Sequence, residues 1–360
     1  VTFRRMGGTG NAAKPQQGVG KSGRAQRQRA DTLAMPSIIN TTTSHRLSLD
    51  HIAHAAAVVD PAFLNSPQFD CEPLSHALGV PSLTLKVESL NPLRSFKGRG
   101  ADFFMHQNAE RLAGRTLVCA TAGNWGQAMA YVCRARQWPL VVYCATTANA
   151  YKVERMRALG AEVRLYSEDF DSAKEEAKRF CANSGGYFVE DGAEASIAEG
   201  EGTIAREMLA RRVFDTLLVP LGNGALLTGM GRWTKAHAPD VRVIGVCAAG
   251  ADAMAASWHK GRVVNRGVAS TIADGIAVRM PVPEAQADMK GTVDDVLLVS
   301  EAAIERAMRL VFQHAGLVVE PAGVVGVAAV LEQPGLRTQR LATVLCGSNL
   351  TGEQVARWLV

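Results

Sequence analysis

From residue 116 to residue 248 the chain repeats one pattern: a short, continuous apolar run, a turn of small residues, then an amphipathic stretch of helical period. The apolar runs are TLVCATAG (116–123), PLVVYCAT (139–146), AEVRLY (161–166), GYFVED (186–191), FDTLLVPLG (214–222) and VRVIGVCA (241–248). Between them lie NWGQAMAYVCRARQ (124–137), NAYKVERMRALG (149–160), DFDSAKEEAKRFCANSG (169–185), SIAEGEGTIAREMLARR (196–212) and ALLTGMGRWTKAH (225–237). A strand that is apolar throughout must be covered on both faces, and strands separated by helices pair in parallel. The pattern predicts an α/β fold: open, mostly parallel, twisted sheet covered by helices, with right-handed crossovers. There is no internal repeat.

Length allows one large α/β unit or two domains, since the chain has 360 residues. No run of 18 apolar residues occurs, so no transmembrane helix and no membrane partner are expected. The net charge of +5 is unevenly placed: residues 1–46 hold eight Lys and Arg against the single acid Asp31. The body is slightly acidic, which argues against a nucleic-acid partner. The tail, residues 1–45, is rich in Gly, Gln and Arg and lacks apolar periodicity, so it is expected to be a disordered basic tail. Its segment KPQQGVGKSG (14–23) imitates a phosphate-binding P-loop but has Pro15 where that motif needs Gly, and no strand precedes it. The tail reads either as a targeting segment or as an over-extended start before Met35. The seven cysteines are scattered, several inside apolar runs, with no C-x-x-C. They are expected to be buried thiols in a reducing cytoplasm rather than disulfides or a zinc site.

In an open parallel sheet, ligands bind where strands run into helices. Three such turns stand out. ATAGNWGQ (120–127) opens a helix at Asn124, a good N-cap residue even without further function. VPLGNGALLTG (219–229) puts small residues at a helix start, where free amides suit an anion. Its glycines do not make a dinucleotide fingerprint, because position 227 is Leu. VLCGSNLT (344–351) repeats the design at the last apolar run. Upstream, SFKGRG (95–100) sets Lys97 between Phe96 and Gly98, with Arg94 and Arg99 close by, an odd setting for a merely solvated lysine.

Taken together, seven segments occur in one order: SFKGRGA (95–101), TAGNWGQ (121–127), EGEGTIAREM (199–208), PLGNGALLTG (220–229), TIADGIAV (271–278), EPAG (320–323) and LCGSN (345–349). In these the chain resembles the tryptophan-synthase-type (fold type II) family of pyridoxal-phosphate enzymes, most of all its serine/threonine dehydratase, or ammonia-lyase, group. The resemblance covers roughly residues 70–355. It implies pyridoxal 5′-phosphate bound between a large domain (46–112 and 195–360) and a small one (113–194), and elimination from a β-hydroxy amino acid such as L-threonine or L-serine. Replacement chemistry of the threonine synthase or cysteine synthase kind stays open at this point, as does a member that binds a metabolite without catalysis.

The resemblance also implies roles. Lys97 would hold the cofactor as a Schiff base and act as the catalytic base, its pKa lowered by burial and by cationic neighbours. Phe96 would pack beside the ring and Asn124 bond its phenolic oxygen. Gly222, Asn223, Gly224 and Ala225 would cradle the phosphate, and Cys346 would face the ring nitrogen. Thr121, Ala122, Gly123 and Asn124 would bind the substrate carboxylate. Related racemases carry Ser at the position of Ala122, which has no proton to give. Trp125 would pack the helix start or wall off the substrate. Many relatives bind a divalent cation through a Glu near the position of Cys247; Asp252 alone is too little for such a site, so no metal is expected. Eleven residues follow Asn349, so no C-terminal regulatory domain is expected, and a homodimer is.

Overall fold

The computed structural model describes residues 45–121 and 123–360. The expected disordered tail, His45 apart, and Ala122 lie outside the described residues. Ten strands are present among them: β1 (Gln68–Asp70), β2 (Ser82–Val87), β3 (Leu117–Ala120), β4 (Leu140–Cys144), β5 (Glu162–Leu165), β6 (Tyr187–Phe188), β7 (Thr216–Pro220), β8 (Arg242–Ala248), β9 (Asp295–Val299) and β10 (Arg340–Leu345). They form two sheets, one of six strands in the order β1-β2-β10-β7-β8-β9 and one of four in the order β5-β4-β3-β6. Only β1 runs antiparallel to its neighbour. The α/β reading of the 116–248 repeat holds strand by strand, although GYFVED contributes just two residues to its ladder.

The continuous apolar runs have the cause argued for them. Along β7, Leu218 joins the core on one face of the large sheet, whereas Leu217 and Val219 join the core on the other. Neighbouring β8 divides likewise, Ile244 and Val246 against Val243 and Cys247. In the small sheet Leu117, Cys119, Leu140 and Val142 face the larger core, while Val118, Val141 and Tyr143 pack with Ala177 and Cys181 of the helix Phe170–Ser184. Successive residues of a strand point to opposite faces, so burial on both sides leaves no polar alternation to see.

Close helix packing places the site. The helix Ala195–Leu209 lies against both the helix Lys97–Leu112 and the helix Ala225–His237. Glycines make the approach possible. A Cβ on Gly200 would sit 2.6 Å from the Arg99 carbonyl oxygen, one on Gly202 would sit 2.9 Å from that of Gly229, and one on Gly229 would overlap the Ala198 carbonyl oxygen. The N-terminus of the Lys97 helix is fixed from the large sheet: the Phe96 amide donates to the Cys346 carbonyl at 3.1 Å, and Ser95 bridges Gly347.

Adding one methyl at Gly229 should force these helices apart. We expect Gly229→Ala to lower the urea midpoint by an amount equivalent to about 1–3 kcal/mol or more. Gly335→Ala, where a Cβ meets nothing within 4 Å, should leave it nearly unchanged.

Candidate active site

A cavity of about 430 Å³ opens where strands of both sheets end. β3 delivers Thr121 to Asn124, β6 delivers Asp191, β7 delivers Gly222 to Ala225 and β10 delivers Cys346, while Phe96 and Lys97 close one wall. All the described residues singled out in the sequence for cofactor or substrate line this one space.

Lys97 opens the helix Lys97–Leu112, and its ammonium lies 4.3 Å from the centre of the Phe96 ring. Its neighbours differ from expectation. Nζ donates to Asp191 Oδ2 at 2.5 Å and to Glu201 Oε1 at 3.4 Å. Burial pushes the lysine pKa down, but the two carboxylates outweigh it and hold the pKa above the usual lysine range. The arginines of the motif are turned elsewhere. Arg99 is fully buried against Glu88 and Glu207. Arg94, in the left-handed region at φ 51°, reaches the Tyr151 hydroxyl. The expected cationic surroundings of Lys97 are thus corrected to anionic ones, because helix packing brings Glu201 beneath the amine. The glycines of SFKGRG serve packing: a Cβ on Gly98 would sit 2.5 Å from the Phe63 ring, and one on Gly100 2.9 Å from the Ile197 carbonyl oxygen.

Asn124 is the first residue of the helix Asn124–Ala135 and does not cap it. Its side chain enters a buried network instead. Nδ2 donates to Glu320 Oε1 at 2.6 Å, and Oδ1 accepts from Asn349 Nδ2 at 2.9 Å. Glu320 Oε2 takes the Asn349 amide at 3.3 Å and lies 3.9 Å from Lys152 Nζ, which is paired to Asp274 at 2.6 Å. Four of the separate sequence segments therefore meet here, through Asn124, Asp274, Glu320 and Asn349. Burial raises the Glu320 pKa, opposed by Lys152; burial lowers that of Lys152, but Glu320 and Asp274 prevail and raise it. Gly123 has no side chain because the Lys152 stem occupies the space a Cβ would need.

The turn from Gly222 to Ala225 starts the helix Ala225–His237, with Gly224 at φ 101°. A Cβ on Gly224 would lie 2.8 Å from Ala285 Cβ, and one on Gly222 3.0 Å from the Gly275 carbonyl oxygen. Only backbone faces the cavity at these glycines, and the first amides of a helix have no partner within it. Cys346 is buried, and burial first, then the charge of Glu320, pushes its thiol pKa well above the ordinary value. Trp125 belongs to the core and also borders the cavity, with its indole N–H unpaired in the protein. Cys247 donates to the Leu221 carbonyl, and Asp252 pairs with Arg266.

A profile of the family described as pyridoxal-phosphate dependent enzyme matches residues 59–347. The chain belongs to that family. It is 34% identical over 274 residues to the L-threonine ammonia-lyase of Thermotoga maritima, covering 76% of this chain and 68% of the relative. It is 28% identical over 317 residues to a catabolic L-threonine dehydratase of Staphylococcus aureus, covering 87% and 92%. Among solved structures, a threonine deaminase from T.th. aligns with a TM-score of 0.78 at 30% identity, covering 84% of this chain and 99% of that one. Maize serine racemase aligns with a TM-score of 0.80 at 24% identity, covering 86% and 96%, and shares the fold.

The family's cofactor is pyridoxal 5′-phosphate, and the residues present fit it. A lysine amine, a turn of bare backbone at a helix N-terminus and a neutral buried thiol border one cavity, whose size is in the range used for small ligands. Sequence reading gave no role to six polar side chains, Asp191, Glu201, Lys152, Asp274, Glu320 and Asn349. Asp191 stands just past a strand end, where the search for ligand sites should have extended. Glu201 lay inside a quoted segment without a role. Lys152 looks like any cation of an amphipathic helix, and no sequence signal marks it.

Glu201 yields a pH prediction. Burial, with Asp191 adding and Lys97 opposing, lifts its pKa from 4.5 to about 8. A carboxyl whose pKa is raised on folding contributes stability fully below its unfolded pKa and loses it as pH rises through the folded one. Cofactor-free protein should therefore lose thermal stability between about pH 5 and pH 9 more steeply than Glu201→Gln does, as thermal melts across that range would show.

Proposed function

We propose that this protein is a pyridoxal-phosphate-dependent ammonia-lyase that removes water from a β-hydroxy amino acid of the threonine and serine class, giving a 2-oxo acid and ammonia. The observation that carries the reading is Lys97 facing the same cavity as the buried, neutral thiol of Cys346. The cofactor, when bound, supplies an electron sink for the bond to the α-hydrogen. We assign Lys97 as its covalent anchor and as the base that takes the α-proton, with Phe96 and Asn124 beside the ring. Gly222, Asn223, Gly224 and Ala225 hold the phosphate with backbone amides. The turn from Thr121 to Asn124 holds the substrate carboxylate and so orients the α-hydrogen toward Lys97. Ala122 offers no proton to the opposite face, which disfavours racemisation.

Cys346 decides between outcomes. A thiol held neutral cannot balance a positive ring nitrogen as a carboxylate would. Negative charge developing at the α-carbon is then best relieved by departure of the β-hydroxyl, and the released enamine hydrolyses to the 2-oxo acid. We further propose that the cofactor sits between the large domain, 46–112 and 195–360, and the small domain, 113–194. We propose too that the enzyme works as a homodimer in the cytoplasm, on a free amino acid and without nucleic acid, membrane or metal. The seven buried, unpaired cysteines support the compartment, and no described helix is long and apolar enough to cross a membrane.

Purified protein should absorb as a lysine-bound pyridoxal, and L-threonine and L-serine should yield 2-oxobutyrate and pyruvate. O-acetylserine with sulfide should yield no cysteine; formation of cysteine would favour replacement chemistry. Borohydride should fix the cofactor on the Lys97 peptide, and Lys97→Ala should lower turnover by roughly 10²–10⁴-fold or more. Cys346→Asp should slow elimination and divert product toward transamination, whereas Cys346→Ser should behave almost as the parent. An Asp variant with parental products would remove Cys346 from the ring nitrogen.

A further inference from the structure

The turn after β6 carries a carboxylate whose geometry suits proton transfer rather than structure alone. Asp191 Oδ2 accepts from Lys97 Nζ at 2.5 Å. Its other oxygen, Oδ1, is buried and has no partner in the protein, and the residue lines the cavity while 7% exposed. A buried carboxylate oxygen left unbonded is costly, and here it belongs to a residue on the cavity wall. The turn is held in place. A Cβ on Gly192, at φ 93°, would lie 2.6 Å from the Asn223 carbonyl oxygen, so the residue after Asp191 is packed against the Gly222–Ala225 turn.

We propose that Asp191 is a second catalytic residue, which takes from Lys97 the proton removed from the substrate and gives it to the departing β-hydroxyl. The proposal rests on the ammonia-lyase reading. The balance closes without a co-reactant. The α-C–H bond breaks and its proton goes to Nζ. An N–H proton passes from Nζ to Asp191 Oδ2, which leaves the amine neutral. A half-turn of the carboxyl, whose terminal torsion is broad and two-fold, brings that O–H to where Oδ1 stood. As the Cβ–O bond breaks, the hydroxyl leaves with this proton as water.

Two acids face Nζ, Asp191 from the turn after β6 and Glu201 from the helix Ala195–Leu209. They are not equivalent. Glu201 is fully buried beneath the amine and is not part of the cavity wall. It also lies farther from the amine, at 3.4 Å against 2.5 Å for Asp191. Asp191 alone of the two lines the ligand space. Beside it, the Glu190 carboxylate is committed to Lys174.

The test compares leaving groups. Hydroxide needs a proton to depart, and chloride does not. Asp191→Asn should lower turnover of L-serine by roughly 10²–10⁴-fold, the usual weight of a general acid, and leave that of β-chloro-L-alanine close to the parent's. Asp191→Glu should regain part of the serine activity. Glu201→Gln, acting on the amine from the closed side, should slow both substrates by one factor. Equal losses on both substrates in Asp191→Asn would overturn the proposal, since the carboxyl would then serve only to hold Lys97. A second readout needs no turnover. In cofactor-free protein, acylation of Lys97 followed by peptide mass spectrometry should shift to lower pH in Asp191→Asn, and an unchanged profile would overturn the Lys97–Asp191 transfer. If the parent acts on neither substrate while the acylation profile shifts, the ammonia-lyase reading fails and the proton link between the two residues stands.

Discussion

A lysine ammonium buried between two carboxylates is the interaction on which this site turns. Removing a charge from water is unfavourable by several kcal/mol per ion even after relaxation, so Lys97 needs counter-charges wherever it is sequestered. Asp191 and Glu201 are the acidic groups beside it, from two different elements, the turn after β6 and the helix Ala195–Leu209. The contact thus ties the small sheet, through β6, to the helix layer of the large one. It also sets the chemistry. The acidic neighbours outweigh burial and favour the protonated amine.

The contact requires the helices to approach more closely than ordinary side chains allow. Gly200 and Gly202 on one helix, Gly229 on the next and Gly100 on a third remove the Cβ atoms that would separate them. Such spacing brings Glu201 under Lys97 and starts the helix Ala225–His237 at the cavity. The glycines of SFKGRG and EGEGT are therefore as much part of the active site as the charged residues, although none of those named here supplies a reacting atom.

A second buried polar cluster faces the first across the cavity. Asn124, Lys152, Asp274, Glu320 and Asn349 come from five separate stretches of chain and bond to one another, with Asn349 Oδ1 left without a protein partner. The segments TAGNW, TIADG, EPAG and LCGSN thus meet in one polar cluster, where a partner for each buried group matters. Asn124 shows how a local rule yields to this. By type it is a good helix cap, yet Gly123 holds the cap position and the Asn124 oxygen, the atom a cap would use, accepts from Asn349.

The layered α/β architecture was legible in the residue order, because burial on both faces of a parallel sheet leaves continuous apolar runs with small residues at their ends. The same logic pointed to the turns at 121–124, 222–225 and 346, since strand ends are where backbone amides become free, whereas Lys97 stood out by its SFKGRG setting. What the linear pattern could not hold is which charges meet. Lys97 stands between two arginines in the chain, and proximity in sequence suggested a cationic setting. Folding sends Arg99 to Glu88 and Glu207, Arg94 to Tyr151, and brings Asp191 and Glu201 from 94 and 104 residues away. Lys152 likewise gains its meaning only from Asp274 and Glu320. The physical reason is one of range. Secondary structure and burial follow from neighbours a few residues apart, whereas a buried charge takes its pKa from whatever lies within a few ångströms, and only tertiary packing decides what that is.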